Sequence, residues 1–197
     1  MAADLRLCSA HHPPLVALSK DFVMNRFALT VAAAASVLTF ASAAFAGPQY
    51  LDETGYAVSG YDVVAYFDLA QSPVGQSQPD GVPGNAAITA EYNGSTFAFA
   101  TEANRDKFVA DPARYAPQYD GHCAYGVSKG GKVPGNPNLW RIVDGKLFLN
   151  ITENVVGFWE EDIPGNISLA ENNWVNIEGN DASTNTIPKF SSAAPNG

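Results

Sequence analysis

The chain has 197 residues, 11 Lys+Arg against 20 Asp+Glu, a net charge of −9 and 46% hydrophobic residues. That apolar content can build a core, which excludes collagen-like, coiled-coil and wholly disordered classes. The acidic balance excludes a nucleic-acid binder, which needs a basic face, and argues against docking on anionic lipid.

Met24-Asn25-Arg26 opens a short positive segment, Phe27 to Phe40 is apolar and Ala-rich, and Ala44-Phe45-Ala46 precedes Gly47. Charge, apolar stretch and small-x-small site are the order of a secretory signal. Ala-rich sequence is weakly hydrophobic, so a cleaved signal is favoured over a membrane anchor. The expected organisation is an upstream extension over 1–23 from an early start, a signal peptide over 24–46, a domain over 47–177 and a disordered tail over 178–197. Cleavage near Ala46 would make the protein periplasmic or secreted, with no integral membrane segment. It would also remove Cys8, His11 and His12, leaving Cys123 beside His122. A lone Cys cannot form an internal disulfide, and one Cys with one His cannot build a zinc finger.

Along the domain, Gly47 to Leu69 is too mixed to assign, and Gln71 to Asn85 reads as an exposed loop rich in Gly, Pro, Gln and Ser. Ile88–Tyr92 and Thr96–Ala100 flank Asn93-Gly94, a strong hairpin signal, with Phe97 and Phe99 on one buried face. Thr101 can cap a helix from Glu102 to about Ala110 that points Ala103 and Phe108 at the core. Asp111-Pro112 stops it and starts a short turn ending near Tyr115. Ala116 to Gly135 has little periodicity. Leu139–Ile142 and Lys146–Asn150 flank Asp144-Gly145, a second hairpin signal. Thr152 can cap a helix with Val155, Val156 and Trp159 on one face, and Pro164 suits the first turn of another. Ile163, Ile167, Ala170 and Trp174 continue that spacing. No internal repeat is evident. The expected fold is a small single α+β domain with two β-hairpins and about three to four short helices.

Three clusters could carry chemistry. Cys123 lies in Asp120-Gly121-His122-Cys123-Ala124-Tyr125-Gly126, where an imidazolium could favour the reactive thiolate and the glycines permit close approach. Against this, free Cys is among the most buried residue types and packs as a small hydrophobe. Tyr61, Asp62 and Tyr66 place a carboxylate among aromatics, able to line a pocket or ligate, though Asp more often caps a turn. Tyr115, Tyr119 and Tyr125 flank the Cys, where core packing with hydrogen-bonded hydroxyls is the plainer account.

Tyr92-Asn93-Gly94, Phe97-Ala98-Phe99, Asn104 to Phe108 and Asp111-Pro112-Ala113-Arg114-Tyr115 together resemble a YHS domain, with a motif core over 89–126. Gly60-Tyr61-Asp62, Val64 to Phe67, Tyr115 to Tyr119, Gly121 to Ala124, Trp140 and Asp144 to Asn150 extend the resemblance to exported, free-standing YHS proteins. Some members of that subfamily carry selenocysteine at the position matching Cys123, which implies a reactive or metal-binding chalcogen there. Metal-associated YHS domains, as in copper-transport ATPases, have Phe-Cys-Ser-x-x-Cys where this chain has Phe99-Ala100-Thr101-Glu102-Ala103-Asn104. Ala100 and Asn104 cannot act as thiolate ligands, so any metal role falls to Cys123.

The leading expectation is therefore an exported protein that binds a soft metal such as a copper ion, or acts in thiol chemistry, through Cys123. His122 and Asp62 would supplement a metal site, lined by Tyr61, Tyr66, Tyr119 and Tyr125. A thiol enzyme would use Cys123 as its catalytic nucleophile with His122 as base, but a single Cys has no resolving partner, so the balance leans against an enzyme. The third class is a non-catalytic interaction module with a protein partner.

Overall fold

The structure is a computed structural model and describes residues 49–182 and 194–195. The expected extension and signal segment, and most of the expected tail, lie outside the described residues. The elements in chain order are β1 (Asn85–Tyr92), β2 (Ser95–Phe99), α1 (Glu102–Ala110), α2 (Pro112–Tyr115), α3 (Ala124–Ser128), β3 (Asn136–Val143), β4 (Lys146–Asn150), α4 (Glu153–Glu160) and α5 (Ile163–Ile177). The α+β architecture with two hairpins is as expected.

Each hairpin closes where its dipeptide demands. Asn93 and Gly94 have φ of 49° and 72°, and Asp144 and Gly145 have 50° and 73°. Two successive positive φ values make the tight turn whose twist matches the strands. β1 pairs antiparallel with β2, and β3 with β4, as two separate two-stranded sheets. The Thr101 and Thr152 side chains accept from Asn104 N and Val155 N, satisfying backbone donors that the first turns of α1 and α4 leave over. Asp111 and Asp162 do the same for α2 and α5.

Two apolar clusters form the core. Tyr61, Val63, Val64, Tyr66, Phe97, Phe99 and Phe108 build the first, joined by Trp140, Leu147 and Leu149. Tyr119, Ala124, Val127, Phe148, Trp159 and Ala170 build the second. Side chains alternate faces along a strand, so β4 gives Leu147 and Leu149 to one cluster and Phe148 to the other.

Two expectations are corrected. Ala103 is exposed, and α1 buries Phe108 alone. Gln71 to Asn85 has no helix or strand before Asn85 and is mostly exposed over 71–80, as expected, and those ten residues form a strap bound to β3 and α4. The Gln71 side chain accepts from Ile142 N, the Arg141 guanidinium donates to the Ser72 and Pro73 carbonyls, and Trp140 Nε1 donates to Pro79 O at 2.8 Å. Gly75 N donates to Glu160 at 2.7 Å, and Gly81 N to Asn138 at 2.9 Å. The absence of a repeat is also overturned: left-handed turn, hairpin, Thr-capped helix and Asp-capped helix occur twice in the same order. The turns are Val58-Ser59-Gly60 and Tyr119-Asp120-Gly121, each with three successive positive φ values.

Phe108 is fully buried against Phe97 and Phe99, with ring centroids 4.7 and 5.1 Å away. Phe108→Ala should destabilise the fold by about 3–5 kcal/mol, measured by urea denaturation. The Arg141–Glu160 ion pair is nearly as buried, with both side chains 6% exposed. Arg141→Met strands the Glu160 charge and should cost about 3–5 kcal/mol in the same assay.

Candidate functional site

Two left-handed turns deliver the residues singled out from sequence. An L-residue with positive φ is held there only by surrounding structure, and here the turn carbonyls do the holding. Gly60 O accepts from Gly84 N at 2.9 Å, and Gly121 O from Gly135 N at 3.0 Å. The residues that follow, Tyr61-Asp62 and His122-Cys123, run beside Val82-Pro83 and Val133-Pro134.

Asp62 is fully buried. Its Oδ1 accepts from Val64 N at 2.9 Å and Ala65 N at 3.2 Å, and its Oδ2 from Ala100 N at 2.8 Å and Asn104 Nδ2 at 2.7 Å. Four donors satisfy the lone pairs of a carboxylate. Tyr61 and Tyr66 are buried beside it. Asn138 Nδ2 donates to Tyr61 Oη at 3.5 Å, and Tyr66 Oη donates to Pro137 O at 2.8 Å. Burial holds the Tyr66 phenol protonated well above the usual range.

Cys123 is also fully buried and caps α3. Its Sγ accepts from Gly126 N at 3.4 Å and donates to Asn150 Oδ1 at 3.5 Å, while Tyr125 N donates to the same Oδ1 at 3.1 Å. Burial pushes the thiol up to about 11, against opposing backbone hydrogen bonds from Gly126, Ile151 and Tyr125. His122 faces elsewhere. Its Nδ1 meets Tyr119 O at 2.8 Å, and its ring lies 5.6 Å from that of Tyr50 and 5.9 Å from that of Trp174. Burial lowers its pKa to about 4; the Tyr119 carbonyl opposes that shift and the Lys132 charge adds to it. Tyr119 packs between Phe148 and Trp174, and Lys129 Nζ sits 4.7 Å from the centre of the half-buried Tyr125 ring.

The structure thus brings Tyr61, Asp62 and Tyr66 together at the first turn, and Tyr119, His122, Cys123 and Tyr125 at the second. The Asp62 carboxylate, the Cys123 thiol and His122 Nδ1 are each turned to a different partner. Among the described residues, no group of three or more His, Cys, Asp or Glu is arranged to hold a metal ion. Sequence reasoning missed Asn150, the thiol's side-chain partner. It stands 27 residues away at the end of β4, and nothing in its neighbours signals the contact. It also missed a cleft of about 220 Å³ between the strap and α4, lined by Gln76, Gln78, Asn138, Glu153 and Glu160 among others.

Residues 71–119 match the family model of the YHS domain. The match supports a YHS domain there, begins beyond Asp62 and stops short of His122 and Cys123. Comparison with curated proteins and with solved structures finds no match.

A histidine held neutral below its ordinary pKa makes the unfolded chain the better proton binder between about pH 6.5 and pH 4. Stability should rise with pH across that window, by up to about 1.4 kcal/mol per pH unit from this group. Denaturant titrations from pH 4 to 7 should show a shallower slope for His122→Gln than for the unaltered chain.

Proposed function

We propose that this chain is an exported, non-catalytic binding protein whose Cys123 serves the fold rather than a reaction. The observation that carries this reading is the fate of the reactive groups. The thiol, the imidazole and the Asp62 carboxylate are all buried and engaged by this chain's own backbone and amides. Only a thiolate attacks or ligates, and a thiol pushed up to about 11 is ionised on the order of once in 10,000 molecules at pH 7. The imidazole that would act as base donates its Nδ1–H to the Tyr119 carbonyl instead. Export rests on the order of charge, apolar stretch and small-residue site in 24–46, with a periplasmic or secreted destination. Among the described residues, no helix is long and apolar enough to cross a membrane.

The second reading, soft-metal binding through Cys123 with His122 and Asp62, draws on the YHS match and on the thiolate's preference for Cu(I). It requires the cap to open and expose the sulfur. Iodoacetamide labelling at pH 7.5 separates the two, with the modified site mapped by peptide mass. Cys123 should stay unmodified in the native chain and react fully in guanidinium. A Cu(I) titration should give the same stoichiometry for Cys123→Ala as for the unaltered chain. Rapid native labelling of Cys123, together with loss of a Cu(I) equivalent in Cys123→Ala, would establish the metal reading instead.

A further inference from the structure

The repeat described above extends to individual residues. Val82-Pro83-Gly84-Asn85 and Val133-Pro134-Gly135-Asn136 are identical. At the same separation of 51 residues, Gly94 pairs with Gly145, Phe97 with Phe148, Thr101-Glu102 with Thr152-Glu153, and Asp111 with Asp162. Before the strap the separation is 61, with Gly60 opposite Gly121. The ten-residue difference has the length of the strap, and it takes the turns before Asp62 and Cys123 out of the 51-residue register.

The geometry repeats with it. The two left-handed turns have φ of 52°, 53° and 78° in one and 55°, 51° and 80° in the other. Asp62 N donates to Val82 O, and Cys123 N to Val133 O, both at 2.8 Å. β1 pairs its Asn85 with Phe99 and slips register before Thr89; β3 pairs its Asn136 with Asn150 and slips before Trp140. Asn85 accepts from Ala87 N at 2.8 Å, and Asn136 from Asn138 N at 2.9 Å. The capping residues Asp111 and Asp162 share φ of −152° and ψ near 75°. Gly84 and Gly135 are both positions where a Cβ would lie 2.6 Å from backbone, at Ala98 and at Gly121 respectively. A bare hairpin-and-helix motif demands none of these coincidences.

We infer that residues 119–167 are a second copy of the unit built by residues 58–116, with α5 running on beyond it, and that Cys123 stands in the place of Asp62. The family match at 71–119 falls mainly in the first copy. Asp62 receives the amides two and three residues ahead, Val64 and Ala65, and that of Ala100 after β2. The equivalent amides are Tyr125, Gly126 and Ile151, the three that oppose the upward shift of the Cys123 thiol. The flanking exchanges complement one another. Asn104, the side-chain donor to Asp62, becomes Val155, while the apolar Phe99 becomes Asn150, whose Oδ1 accepts hydrogen bonds from the thiol and the Tyr125 amide. One copy holds a carboxylate with a donor on its helix. The other holds a neutral thiol with an acceptor on its strand.

Duplication and simple apolar packing predict opposite results when Cys123 is replaced in the full chain. If the site is a carboxylate cradle, Cys123→Asp folds, and hydrogen exchange at the Gly126 and Ile151 amides is at least tenfold slower than in Cys123→Val. Adding Val155→Asn to Cys123→Asp restores the donor of the first copy and should raise the melting temperature. The same Val155→Asn change with Cys123 in place should not. The inference is overturned if Cys123→Asp is unfolded while Cys123→Val is folded, or if the two variants protect those amides equally. It is also overturned if Val155→Asn shifts the melting temperature alike in both backgrounds.

Discussion

The carboxylate of Asp62 ties three stretches of chain to one point: the turn that follows it, the residue after β2 and the first turn of α1. Burying a charge is unfavourable unless every lone pair finds a donor, and here four donors meet two oxygens. The apolar cluster depends on this junction. Val63 and Val64 enter the core because their chain is turned there, and Phe108 reaches Phe97 and Phe99 because α1 starts where Asn104 can reach the carboxylate. The left-handed turn before Asp62 belongs to the same constraint, since it aims the carboxyl inward while its last carbonyl holds the Gly84 amide.

This arrangement bears on how the one cysteine among the described residues is understood. Unpaired thiols invite functional readings because they oxidise or capture metals. Cys123 is placed where neither process starts readily: no side-chain atom reaches solvent, and the neighbouring histidine points its Nδ1 at a carbonyl. The sulfur fills a capping position with a group that needs no counter-charge.

The hairpins and both Thr caps were legible in the sequence, because Asn-Gly, Asp-Gly and Thr-Glu act through local sterics and nearby hydrogen bonds. So was the alternation of Phe97 and Phe99. The turns before Asp62 and Cys123 were not, since Val58, Ser59 and Tyr119 carry no local preference for positive φ and the turn carbonyls are held from Gly84 and Gly135. The docking of the strap was not legible for a related reason. Its Gly, Pro, Gln and Ser content is that of a loop, yet its order comes from Arg141, Trp140 and Asn138, some 57 to 69 residues away along the chain. At the candidate site, the adjacency of His122 and Cys123 was visible, but the divergence of their side chains was not. Sequence proximity says nothing about which partner each polar atom meets.

The strap has one more consequence, for the order in which the chain folds. It leaves the first copy but docks on the second, with Gly75 bonded to Glu160 across 85 residues and Ser72 to Arg141 across 69. Contacts that close such long loops form late, because loop-closure entropy must be met before they contribute. Each copy can assemble its hairpin from local contacts, whereas the Arg141–Glu160 pair and the Trp140 indole gain their remaining partners only once the strap arrives. Trp140, Leu147 and Leu149 of the second unit already lie in the apolar cluster of the first, so the two are not independent beads. A strap donated by one and completed by the other couples their equilibria, so the pair should behave as a single cooperative body.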